Sequence, residues 1–174
     1  IRGLGYRRVS GPAGRYVGYQ IELRCDDPRG IAHSVDLHWR ISNAQSFAWL
    51  FAFDELAAAS APVPPLGPSA RRLGDAHALI VALLHRVGNN VFVARDFGDR
   101  LIWLYDIVLL VEAMSADDLL LFKRLVEDRG VVAMAIEGLA RTGRVLGEDV
   151  GVELTPAQFL AEHLVGRTQA GEHR

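Results

Sequence analysis

Four things are scarce or missing in this chain, and each removes a class of explanation. Cysteine occurs once, as Cys25, so no internal disulfide can staple the fold, and a cytoplasmic, reducing setting is favoured. No apolar run is long enough to cross a bilayer, since the longest, around residues 101–111, is interrupted by Asp106. Positive charge is not in excess: 19 Lys and Arg face 21 Asp and Glu, for a formal net charge of −2. Long nucleic acid is therefore not the favoured partner. Sequence motifs of the commonest chemistries are also missing. There is no glycine-rich phosphate loop, no serine in a nucleophile-elbow setting and no zinc spacing, because His33 and His38 fall on opposite faces of one strand. The chain opens at Ile1, without an initiator Met or a signal-peptide pattern, and reads as a trimmed or partial chain.

What is present is half hydrophobic and 23% charged over 174 residues. That is enough for one domain with a proper core, or for two closely packed subdomains. The most ordered pattern lies at residues 34–41. Val35, Leu37, Trp39 and Ile41 alternate with Ser34, Asp36, His38 and Arg40, which in a strand sends the two sets to opposite faces. The apolar set is expected to be buried. The polar set can ligate a metal, move a proton or hold a phosphate, and it can equally be the solvated face of an ordinary sheet.

Residues 4–42 read as strands punctuated by turns at Gly11-Pro12-Ala13-Gly14 and at Asp26-Asp27-Pro28-Arg29-Gly30. Pairing Cys25 with Ile31 sets Leu23 opposite His33, Ile21 opposite Val35, Tyr19 opposite Leu37 and Val17 opposite Trp39. A slip of one residue would push Asp36 and Arg40 into the core. On the polar face this register sets Gln20 opposite Asp36, with Glu22 opposite Ser34 and diagonal to Asp36. Two neighbouring carboxylates call for a cation between them, or for neutralisation by Arg24 or Arg40.

From Asn43 the period becomes helical, with Ser42 or Asn43 as cap for a helix to about residue 53 and a short helix over 54–59. The proline-rich stretch at residues 60–71 is expected to be an irregular linker. Helices follow over 73–88, 98–114, 115–130, 131–146 and 155–165. The one over 98–114, apolar on nearly every side, is expected to be central. The domain reading is a sheet-plus-helix unit at 1–59, the linker at 60–71, a helical subdomain at 72–166 and a disordered tail at 167–174. Asp106, inside an apolar run, needs a partner if buried, and His85 or Arg100 is expected to supply it in a structural polar clasp.

The order Leu4-Gly5-Tyr6, the hairpin, Val35-Asp36-Leu37-His38-Trp39-Arg40, Asp75-Ala76-His77 with Leu84-His85, and Arg100 through Ile107 resembles the uncharacterised nucleotidyltransferase family of the DNA-polymerase-β-like nucleotidyltransferase superfamily. The resemblance covers residues 3–145. It implies an α+β fold: a small antiparallel or mixed sheet, truncated relative to the superfamily core, followed by a helical bundle. It also implies transfer of a nucleoside monophosphate from an NTP to an unknown acceptor, with Mg²⁺ or Mn²⁺ held by three carboxylates. Asp36 matches the third carboxylate, as catalytic and metal-binding residue, and His38, Arg40, Gln20 and Glu22 are candidates for phosphate or substrate contact. The first two carboxylates come, in the superfamily, from a Gly-Ser turn followed by Asp-x-Asp. That pattern is absent from these 174 residues and is expected upstream of Ile1. The full-length parent is then the enzyme, while this piece is inactive and holds no tightly bound metal. The alternative is a non-catalytic binding or regulatory module derived from the same fold. An exposed sheet edge is expected to favour a homodimer.

Overall fold

A computed structural model describes residues 2–9, 18–91 and 99–149. The architecture is α+β, and the chain divides into two units, Ile1–Glu55 and Leu56–Arg174. The expected turn at 11–14, the loop at 91–97 beyond its first residue, the helix over 155–165 and the tail at 167–174 lie outside the described residues.

The first unit is a three-stranded antiparallel sheet in the order β1 (Arg7–Arg8), β2 (Gln20–Asp26), β3 (Ala32–His38). Its register differs by two residues from the expected one: Leu23 pairs with Val35, Ile21 with Leu37 and Glu22 with Asp36. The reason lies in the turn. Asp27 N–H donates to the Ile31 carbonyl and Gly30 N–H to the Asp27 carbonyl, both at 2.9 Å. The hairpin therefore closes on Asp27 and Ile31, with Pro28 presetting one dihedral and Gly30 at φ +80°. The Asp27 carboxylate ties the turn by accepting from the backbone N–H of Arg29 (2.8 Å) and of Ile31 (2.9 Å). A shift of two keeps the parity of the faces, so the polar and apolar sets remain as expected.

Burial does not follow expectation on β3. Leu23 of β2 is buried, whereas Val35, Leu37 and Trp39 stay 40%, 44% and 41% exposed. After the strands, the helix α1 spans only Gln45–Ala48 and has no side-chain cap. Asn43, one of the two expected caps, has its Oδ1 taken by the backbone N–H of Tyr19 at 2.8 Å. Tyr19 also donates its hydroxyl to Gln45 Oε1 at 2.9 Å and meets Trp49 edge-on. The ring thus fastens the start of β2 to the segment that follows the sheet. A short helix, α2 (Phe53–Ala58), spans the division between the units.

In the second unit the proline-rich stretch is a small hairpin and not an irregular linker: β4 (Ala61–Pro62) pairs with β5 (Arg71–Arg72) around a 3₁₀ turn at Pro64–Leu66. Val63 N–H donates to the Ala70 carbonyl at 2.9 Å. The Pro62–Arg71 pair is therefore the non-hydrogen-bonded kind, and the donor that proline lacks faces away from the partner strand.

Four helices follow: α3 (Asp75–Val91), α4 (Leu101–Ala113), α5 (Ala116–Asp128) and α6 (Val132–Asp149). The central helix is α3, which packs against the other three and carries the fully buried Ala76, Leu79, Ile80 and Leu83. The expectation for α4 is corrected. Leu104, Ile107, Val108 and Val111 are buried, but Leu101, Ile102, Tyr105 and Leu109 on its other side are exposed. α5 opens with a capping box in which Ser115 Oγ accepts from Asp118 N–H and Asp118 accepts from Ser115 N–H. α6 lies close against α3 at Gly138, where an added Cβ would clash with the Leu83 side chain.

Candidate functional site

The polar face of the sheet takes its geometry from the hydrogen-bond ladder. Trp39 N–H donates to the Tyr19 carbonyl and Asp27 N–H to the Ile31 carbonyl, so odd-numbered residues form the hydrogen-bonded pairs. Gln20–His38, Glu22–Asp36 and Arg24–Ser34 are then the narrow pairs, with Cα atoms about 4.5 Å apart and side chains close together. Glu22 and Asp36 are directly opposite, a tighter juxtaposition than the diagonal one expected from the sequence.

Two acids at such a spacing repel unless a cation lies between them. Among the described residues, the nearby Arg7, Arg24 and Arg40 are engaged elsewhere. Arg24 Nε holds Asp26 at 3.2 Å, and Arg7 reaches the same carboxylate at 3.2 Å. These two hydrogen bonds, Arg7 first, hold the Asp26 carboxyl below its ordinary range. Arg40 lies flat over the Trp49 indole, 3.6 Å from the ring centroid. Ser34 Oγ donates to Glu22 at 3.3 Å. Asp36, Gln20 and His38 make no hydrogen bond to any described residue, and β3 is exposed along its length. Asp36, Glu22, Gln20 and His38 are thus together on one open face, while Arg40 is committed to Trp49.

This donor set suits a hard divalent cation. Two carboxylates on adjacent strands offer oxygen ligands, and Mg²⁺ is commonly held by one or two carboxylates with water and substrate phosphate completing its shell. Among the described residues no group of three or more His, Cys, Asp and Glu side chains could hold a metal ion alone.

In the helical unit His85 and Arg100 meet Trp103, and the expected clasp with Asp106 does not form. His85 meets the Trp103 ring edge-on at 5.5 Å, and Arg100 lies over it at 5.5 Å. Asp106 is exposed and makes no hydrogen bond to either. The buried polar cluster is built one residue along. Arg86, 5% exposed at its side chain, donates to Asp99 through Nη2 at 3.0 Å and grips Glu137 through both terminal nitrogens. Asp99 also accepts from Asn90 at 2.7 Å and from Arg141 at 2.9 Å. Burial works to raise the Asp99 carboxyl, but the hydrogen bonds from Arg86, Asn90 and Arg141 outweigh it and hold the group below its ordinary range. The sequence signal for this cluster was Arg86 itself, a charge three residues after Leu83 on the apolar stripe of α3.

An antiparallel sheet with a directly opposed acid pair on its open face, followed by a four-helix unit, defines an α+β protein. The chain belongs to the family described as uncharacterised nucleotidyltransferase, whose model matches residues 1–164. No curated protein and no solved structure matches it. Among the described residues no helix is long and apolar enough to cross a membrane.

Proposed function

We propose that this chain supplies one wall of a metal-dependent nucleotidyltransferase site, acting on an NTP and an acceptor hydroxyl or phosphate. The carrying observation is the Glu22–Asp36 pair, directly opposite on an open face with its neighbouring arginines otherwise engaged. Family membership supports the nucleotide. In the reaction an acceptor oxygen attacks the α-phosphorus, the bond to the β-phosphate bridging oxygen breaks, and pyrophosphate leaves. Asp36 and Glu22 would hold Mg²⁺ or Mn²⁺, which supplies charge neutralisation on the transferring phosphoryl group. Asp36, free of other partners, can orient or accept the proton of the attacking hydroxyl. His38, two residues along on the same face, is placed to contact phosphate.

A second reading is a non-catalytic binding or regulatory module on the same fold, since among the described residues no group of three or more His, Cys, Asp and Glu side chains could hold a metal ion alone. Calorimetric titration of the full-length protein with ATP, with and without Mg²⁺, separates the two. Saturable Mg²⁺-dependent binding, weakened at least tenfold in Asp36→Ala and in Glu22→Gln, is the expected result. Absence of any nucleotide binding, or binding indifferent to both substitutions, overturns the transferase reading.

A further inference from the structure

The helical unit carries a cavity that the nucleotide reading does not use. It is a shallow cavity, open to solvent along much of its mouth, of about 520 Å³ between α3 and α4, walled by Leu73, Val81, Ala82, Leu109 and Leu110. Three lining side chains bring polarity or π-density: His85, Trp103 and Asp106. Asp106 has no ion pair or hydrogen bond to a described residue. An unpaired carboxylate at an apolar cavity repels anions and gives a neutral hydrocarbon nothing that plain apolar walls would not. It is complementary to a cation. The Trp103 ring gives the cavity an aromatic wall, with the Arg100 guanidinium over it at 5.5 Å. His85 is held edge-on to the same ring, 5.5 Å away and 86° to its plane.

We propose that the α3–α4 cavity is a binding site for a small organic amine, its apolar body against Val81, Leu110 and the Trp103 ring and its ammonium group at Asp106. The site lies wholly within the second unit and is independent of the transferase reading of the sheet.

Benzylamine, benzyl alcohol and benzoate are probes of one size and three charges. Titrating each into the full-length, ¹⁵N-labelled protein and following the Trp103 indole N–H, identified by its loss in Trp103→Phe, reads occupancy of the cavity directly. The expected result is a saturable shift with benzylamine, at least tenfold weaker binding of benzyl alcohol, and no binding of benzoate. Asp106→Asn should weaken benzylamine at least tenfold and leave benzyl alcohol unchanged, and Asp106→Glu should restore most of the loss. Asp106 is exposed, so these variants are expected to fold, and an unchanged amide spectrum away from the cavity verifies it. Equal binding of amine and alcohol, amine binding indifferent to Asp106→Asn, or no saturable shift at all overturns the proposal. Loss of ATP binding with amine binding retained would sink the transferase reading alone.

Discussion

The two units treat charge and apolar surface in opposite ways. In the helical unit the buried guanidinium of Arg86 is paired with Asp99 and Glu137 through its terminal nitrogens, and the large side chains of α3 are fully enclosed. In the sheet unit two acids face each other with no cation from the described residues between them, and Val35, Leu37 and the following Trp39 remain about two-fifths exposed. Folding alone accounts for the first arrangement, because every buried charge there has its counter-charge. It does not account for the second. Like charges directly opposite on a sheet cost stability, and residues that break a local rule without structural compensation are where function is to be sought.

The sharpest way to break this comparison is to remove one charge from each unit. Arg86→Ala leaves Asp99 buried without its main partner and should cost about 3–5 kcal/mol, as expected for loss of one member of a buried ion pair. Urea unfolding followed by helical circular dichroism measures it. Asp36→Asn should lie within about 0.5 kcal/mol of the parent, or be slightly stabilising, because it relieves a repulsion at an exposed position. If the two substitutions cost the same, the distinction between a paired unit and an unpaired one fails.

Acid should distinguish the units next. The Asp99 carboxyl is held below 3.8 in the folded chain, so unfolding raises its proton affinity. Its contribution is fully present above about pH 4 and is lost as pH falls through the folded value. Helical thermal stability should therefore fall off below about pH 4, and Arg86→Ala should flatten that dependence. A parent protein whose helical melting temperature is the same at pH 3 and pH 6 would contradict this.

The sequence already contained the faces of the sheet, because period-two alternation is preserved under any even shift of register. It did not contain the register itself, which depends on whether Asp26 or Asp27 starts the turn. Asp27 wins because its carboxylate can accept from two backbone N–H groups at once. The same limit applied to the helices. Apolar residues on every side of α4 suggested a central position, but hydrophobicity does not say which neighbours arrive, and α3 takes that place. Asp36, His38, Gln20 and Glu22 were legible as one polar face. That Arg40 stacks on Trp49 instead of answering those acids was not, since it depends on where the segment after the sheet returns. The apolar run around Asp106 points to a buried clasp with His85, yet that run has an exposed side and Asp106 is on it.

The smallest predicted effect concerns the free edge of β3. The backbone groups of its odd residues face β2, so those of Ser34, Asp36 and His38 point outward from a seven-residue edge strand. A second copy of β3 can pair there antiparallel about a two-fold axis, with outward residues opposite outward residues. Centring the axis on Asp36 would set like acids together. Centring it on Leu37 sets Asp36 of each copy opposite His38 of the other, the more favourable arrangement. Weak, concentration-dependent dimerisation is therefore expected by sedimentation equilibrium. Asp36→Pro should abolish it by removing an outward donor, and His38→Ala should weaken it without changing helical stability. A clean monomer at the highest soluble concentration would show that the open face of β3 is not kept for a second copy of this chain.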